Sequence, residues 1–265
     1  MAAAFDGERL YLGWGFGEGG WTEIAVDQKL TDDGSIRKFW GAGLSSVDQL
    51  WGLTALAVNE DYVFLARDGA FVEKIPEIIP AGISIVNRKD GSPANLPFGG
   101  QGGSRVLVMT RYPSKLIPPA KPLFELRKIN SFGPQYQDLN LIAIAVSGDI
   151  IYGSLVHENK IVAFNWKTGQ RAGEMVVQHP AGLQVRPDGK LVADGPNLVV
   201  ADTRRHRVLW FSTGTRSFKG QLGQTDKPGA SLATLDRPGC LAVRGDRLAV
   251  YDADNQRIIK ATLRE

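Results

Sequence analysis

The sequence predicts an all-β chain built from small repeated antiparallel sheets, a β-propeller, and three observations carry that expectation. The 265 residues include 31 glycines and 14 prolines, a turn-rich composition in which Val, Ile, Leu and aromatic residues arrive in short bursts. Those bursts alternate polar and apolar residues with period two, the spacing of a strand with two faces, and no long amphipathic helix is evident. The bursts also recur as units of about 40–50 residues, each too small to cover its own apolar faces unless neighbouring sheets stack on it.

The grammar is clearest at the end of the chain. Residues 237–263 (RPGCLAVRGDRLAVYDADNQRIIKATL) and 179–211 (HPAGLQVRPDGKLVADGPNLVVADTRRHRVLWF) follow one order. Pro and Gly open an alternating strand, a turn leads to a second strand ending in Asp, and a polar loop leads to Arg and an aliphatic run. Asp202 matches Asp252 and Arg207 matches Arg257, which reads as a structural pairing repeated from unit to unit.

Taken in chain order, residues 2–16 (AAAFDGERLYLGWGF) and 53–69 (LTALAVNEDYVFLARDG) keep only strand, tight turn and strand. From Ala55 to Ala143 is 88 residues, room for a degenerate unit over 100–138 with two strands around a Pro-rich loop. Residues 141–169 (LIAIAVSGDIIYGSLVHENKIVAFNWKTG) keep the strands and place Lys160 where the arginines stand, but Leu155 where the Asp should be. The expected architecture is one propeller domain with six blades of three to four strands, at 1–42, 43–99, 100–138, 139–178, 179–235 and 236–265. Five blades is the alternative. The chain starts on what reads as an innermost strand and stops after the third strand of the last unit, so the expectation leans towards a piece of a longer protein, with a three-stranded last blade as the alternative.

Residues 179–263 resemble NHL repeats, through Pro238, Gly239, Ala242, Val243, Asp252, Asn255, Arg257 and Ile258. The resemblance implies a six-bladed propeller. It implies no particular activity, because propellers of this kind serve as RNA binders, protein binders, lyases and lactonases.

Gly15, Gly17 and Gly20 have the G-x-G-x-x-G spacing of a dinucleotide turn. That turn works by placing pyrophosphate on a helix N-terminus. Here WTEIAVDQ follows, alternating with period two, so the glycines are expected to form a hairpin loop between two strands. FGGQGGSR over 98–105 lacks the Lys-Ser/Thr of a phosphate loop.

In a propeller the loops between second and third strands and those leading into each innermost strand emerge on one face around the central channel, where ligands bind. The expected ligand face therefore carries Glu18, Trp21, Asp48, Trp51, His157, Glu158, Asn159, His179, Arg204, Arg205, Asp254 and Asn255. Trp21 and Trp51 have the shape to stack on a sugar or clamp a peptide, and equally to pack between blades.

Chemistry is less well marked. Peptidyl-hydroxyglycine lyase, an NHL-like propeller, holds zinc with histidines just after the proline of its innermost strands; Ala181 and Gly239 stand at those positions here. His157, His179 and His206 are the three histidines and occupy different points of the grammar. Lactonase-like propellers hold a divalent cation with oxygen ligands from several blades, for which Glu18, Asp48, Glu158 and Asp254 are available. No nucleophile elbow or paired-carboxylate motif stands out.

Net charge is +3, and the one dense basic run is Arg204, Arg205, His206 and Arg207, which reads as a solvated loop rather than a nucleic-acid face. Cys240 is the single cysteine, which excludes an intrachain disulfide. No stretch approaches the ~20 apolar residues of a membrane span. The reading is a soluble, non-catalytic binding module for a carbohydrate or protein partner, without a cofactor, belonging to a secreted or periplasmic protein. The alternatives are a metal-assisted lyase or lactonase with a cation such as calcium at the channel mouth, and an RNA-binding propeller.

Overall fold

The computed structural model describes residues 2–5, 9–14, 20–25, 38–40, 53–67, 70–71, 78–79, 82–90, 94, 96, 106–108, 141–155, 158–185 and 198–263. Strands dominate them, and their one helical feature is a single 3-10 turn at Thr203–Arg205. The chain divides into two compact units, Met1–Ile142 with Lys167–Gly169, and Ala143–Trp166 with Gln170–Glu265.

In the first unit, β1 (Ala2–Phe5), β2 (Arg9–Trp14), β3 (Gly20–Ala25) and β4 (Lys38–Trp40) form a four-stranded antiparallel sheet in sequence order. Strand β2 is RLYLGW, and the residues after the glycine motif make strand β3, with Trp14 opposite Gly20. A helix is what a dinucleotide turn would require at that point, so the glycines join a hairpin.

A second sheet runs β5 (Leu53–Val58), β6 (Tyr62–Arg67), β9 (Gly82–Asn87) and β10 (Val106–Val108), with the small hairpin β7 (Ala70–Phe71) and β8 (Ile78–Ile79) between β6 and β9 in the sequence. Tyr11, Leu56, Val63, Leu65 and Val86 form one buried core cluster in this unit, and the Arg88 guanidinium lies 5.2 Å from the centre of the Tyr11 ring. Val106–Val108, expected in a separate unit over 100–138, pairs with β9 and supplies the outer strand of the second sheet. Three apolar residues satisfy their backbone there by completing a sheet that otherwise ends at β9. Residues 109–140 lie outside the described residues.

Among the described residues the second unit holds three sheets. The first is β11 (Leu141–Ser147, whose first two residues fall in the other unit), β12 (Ile150–Leu155), β13 (Lys160–Asn165) and β14 (Arg171–Val176). The next is β15 (Pro180–Val185), β16 (Leu198–Asp202), β17 (Arg207–Phe211) and β18 (Phe218–Gly223), and the last is three-stranded, β19 (Pro238–Arg244), β20 (Arg247–Asp252) and β21 (Arg257–Thr262).

Both faces of the middle sheet are buried, as expected for a sheet between neighbours. Leu183, Leu198, Val200, Leu209 and Phe211 pack with Tyr152, Ile161 and Met175 of the sheet before it. Val199, Val208 and Trp210 pack with Val243, Leu248, Val250 and Ile259 of the sheet after it. The period-two alternation thus separates two different cores on one strand, since Val199 and Val200 face opposite ways.

Neighbouring sheets approach closely at Gly182 of β15, where an added Cβ would lie 2.6 Å from the Gly239 carbonyl oxygen of β19. Backbone on the other side cannot swing away as a flexible side chain can. Gly182→Ala is therefore expected to lower unfolding free energy by about 1–3 kcal/mol, the range of overpacked sites, measurable by urea denaturation. An unchanged midpoint would show that the two inner strands separate freely.

Candidate functional site

The loops of the second unit that join second to third strands meet the loops that lead into the following sheets. Asn159 sits between β12 and β13 with φ 52°, and its side-chain oxygen accepts the His179 amide at 3.1 Å. The His179 carbonyl in turn accepts the Thr203 amide at 3.3 Å. Further on, the Asp226 amide donates to the Arg205 carbonyl at 3.1 Å, and the Asp254 amide to that of Asp236 at 3.2 Å. One connected row of loops results, running from 158–159 through 177–179, 203–206 and 224–237 to 253–256.

This row brings together seven of the residues expected on the ligand face: Glu158, Asn159, His179, Arg204, Arg205, Asp254 and Asn255. Trp21 lies on β3 near the loop end of the β2–β3 hairpin. Glu18, Asp48, Trp51 and His157 lie outside the described residues.

Asp202 and Asp252 anchor the row from beneath, each fully buried at the end of its strand. Arg207 Nε donates to Asp202 Oδ2 at 2.7 Å, and Arg257 Nε to Asp252 Oδ2 at 2.8 Å. Each arginine then reaches into the 224–237 loop. Arg207 donates to Thr225 Oγ1 at 2.8 Å, while Arg257 donates to the carbonyls of Ser231 and Thr234 at 2.7 and 3.1 Å and to that of Ala230.

Asp252 also accepts the Asp236 amide at 2.5 Å and the Asn255 side-chain amide at 2.9 Å. Asn255, a ligand-face candidate, is thereby committed to holding the loop, for it also donates to the Gly229 carbonyl at 2.9 Å. At Asp202 the second oxygen, Oδ1, is buried without a partner. Burial pushes the Asp202 carboxyl above its usual range, against the opposing pull of Arg207.

Most charged side chains of the row are paired. Arg205 bonds Asp226 through both carboxylate oxygens, at 3.0 and 2.7 Å, a fork geometry that lowers the Asp226 pKa. Its small contribution to stability is present above the unfolded pKa and lost as pH falls through the folded one. Glu158 pairs with Lys160, Arg237 lies 3.6 Å from Asp254, and His206 Nδ1 lies 3.0 Å from Asp236. Arg204 is exposed and forms no ion pair with the described residues. The basic run at 204–207 is therefore divided, with Arg205 and Arg207 each facing a carboxylate.

Six residues of the row, Asn159, His179, His206, Asp226, Arg237 and Gln256, hold a left-handed φ between 50° and 58°, and two of them stand directly before a proline. His179 and Arg237 each precede a proline and hold φ values of 50° and 52°, a left-handed conformation that costs a side-chain-bearing residue of order 1–3 kcal/mol. Both sit where a loop turns into the first strand of a sheet.

Sequence reasoning missed the apolar part of this end of the sheets. The exposed large hydrophobic residues among the described ones are Val176, Phe218, Leu232, Tyr251 and Ile258. Val176 ends β14, Leu232 sits on the 224–237 loop, and Tyr251 and Ile258 face each other one step below the β20–β21 loop. Only Phe218 begins its strand at the opposite end. Val176 and Leu232 are each 81% exposed; an alternation pattern marks an apolar residue as core, so solvated ones escape it.

Among the described residues no three His, Cys, Asp or Glu side chains gather as metal ligands, and no helix is long and apolar enough to cross a membrane.

No protein-family model and no curated protein matches the chain. Similarity to solved structures extends to 630 chains. One, from the crystal structure of a nidogen/laminin complex, aligns with a TM-score of 0.58 at 13% identity, over 99% of this chain and 75% of that one. At that identity the likeness is one of fold: the chain is an all-β propeller.

Proposed function

We propose that this propeller, an NHL-type ring of six blades, is a non-catalytic interaction module whose loop row binds a protein partner. The observation that carries the reading is the position of the exposed apolar side chains. Four of the five large ones among the described residues, Val176, Leu232, Tyr251 and Ile258, lie at the loop end of their sheets, beside a rim of ionic groups. Exposed apolar groups within a polar rim are the usual composition of a protein-binding surface. The nidogen/laminin neighbour, itself solved as a complex of proteins, is consistent with this use of the fold.

The paired state of Arg205 and Arg207 argues against an RNA face, because phosphate binding draws on cations without counter-charges. Glu158 and Asp254, the described candidates for a lactonase-type cation, each lie beside a basic side chain instead.

A photocrosslinking amino acid placed at Leu232 or Arg204, and at Phe218 as the control on the opposite end, tests the reading in extract of the source cells. One protein species captured from the first two positions and not the third, and lost with Val176→Asp, is expected. Equal capture from all three positions, or none, would overturn it.

A further inference from the structure

A second polar site lies at the end of the sheets opposite the loop row. A cleft of about 450 Å³ opens between the β11–β12 turn and the β17–β18 turn, lined by Gly148, Asp149, Tyr152, Thr213, Gly214 and Arg216 among others. The residues of its lining carry three buried hydrogen-bonding groups. The Tyr152 hydroxyl donates to the Thr213 carbonyl at 3.3 Å and keeps its lone pairs for a donor. Burial raises its pKa to about 12, so it stays neutral. Thr213 Oγ1 and Arg216 Nε are both buried and have no hydrogen-bond partner.

An unmatched guanidinium N–H is costly, because the group cannot shed its proton and burial removes the water that would otherwise accept the bond. Arg216 forms no ion pair with the described residues either. Its position is nevertheless well defined. The guanidinium lies over Gly173 of β14, so close that a Cβ there would stand 2.9 Å from its central carbon, and Arg216 itself holds φ 58° in the tight turn. A cation positioned in this way with its donors unspent is preorganised for an oxyanion.

We propose that this cleft is a binding site for a small carboxylate, whose oxygens take the Arg216 guanidinium and the Thr213 hydroxyl while its body lies along the cleft. A carboxylate fits better than a phosphate on charge, because one guanidinium matches a single negative charge. This site is independent of the loop row and of its partner.

The test is an amide NMR titration of the ¹⁵N-labelled full chain with butyrate, a monoanion, and, separately, inorganic phosphate, at constant ionic strength. Saturable butyrate shifts confined to residues 147–152 and 212–217 are expected, weakened about tenfold or more by Arg216→Gln, as loss of a charge-assisted hydrogen bond implies. Thr213→Val is the second variant; it removes a hydroxyl that has no partner in the unliganded chain, so the fold does not depend on it, and it should weaken butyrate several-fold. Absence of a saturable shift, unchanged affinity in both variants, or saturation by phosphate but not by butyrate would overturn the proposal.

Discussion

Asp252→Ala is expected to lower unfolding free energy by about 3–5 kcal/mol, the cost of breaking a buried, hydrogen-bonded ion pair by removing one partner. The carboxylate is fully buried and serves three donors at once, the Arg257 guanidinium, the Asn255 amide and the Asp236 backbone. Without it the charge of Arg257 has no counter-ion, and the Asp236 amide loses its acceptor just before β19. Equilibrium urea unfolding measures the loss. Hydrogen exchange should show faster opening of 229–237 before the rest of the sheet is affected, because Arg257 bonds three carbonyls of that loop. A change under about 1 kcal/mol, the worth of an exposed pair, would mean that this pairing does not hold the loop.

Arg207→Ala is expected to cost a similar ~3–5 kcal/mol near neutral pH, because Asp202 is then left buried and charged without its partner. Its pH dependence sets it apart. Asp202 already titrates above its unfolded value in the intact protein. A raised carboxyl means that the folded state holds its proton more tightly, so stability falls as pH rises from the unfolded pKa through the folded one. Removing Arg207 takes away the main opposing influence and carries that window upward. The deficit of the variant should therefore shrink as pH is lowered towards the carboxylate range, where Asp202 becomes neutral.

The double change Asp202→Leu with Arg207→Lys should be milder than the single one, since Leu155 and Lys160 occupy the same points of the preceding sheet and pair across β12 and β13. Urea midpoints over a pH series would decide. A deficit that stays constant or grows on acidification would exclude an uncompensated Asp202 carboxylate as its cause.

Reading the sequence located the arginine–aspartate pairs because each recurs at one spacing: Arg207 stands five positions after Asp202, and Arg257 five after Asp252. It also placed the hairpin at the glycine motif, because alternation after Gly20 is a local signal. Where the grammar was broken, the sequence was silent on the substitute. With Leu155 in the Asp position, Lys160 pairs with Glu158 from within its own loop.

The ties between sheets were equally hidden. The Ser154 hydroxyl donates to the Pro180 carbonyl, and Thr203 Oγ1 donates to that of Pro238 at 2.6 Å. One residue stands just before the Asp position and the other just after it, so no repeat in the sequence exposes their common role. The Arg216 cleft draws on turns more than 60 residues apart, as the Tyr152–Thr213 bond illustrates, and its turn residues look like any polar hairpin.

By itself, then, the sequence determined what depends on neighbours along the chain: strands, hairpins, two-faced alternation and the aspartates and arginines that recur with each unit. Strand periodicity follows from backbone geometry, which a short segment already contains. Only the tertiary structure decided which polar groups keep a partner once water is removed, leaving Arg204 exposed, committing Asn255 to a loop, and burying Arg216 Nε and Thr213 Oγ1 without one. Desolvation and charge pairing act between segments brought together by folding, and so they are settled by contacts that no local pattern encodes.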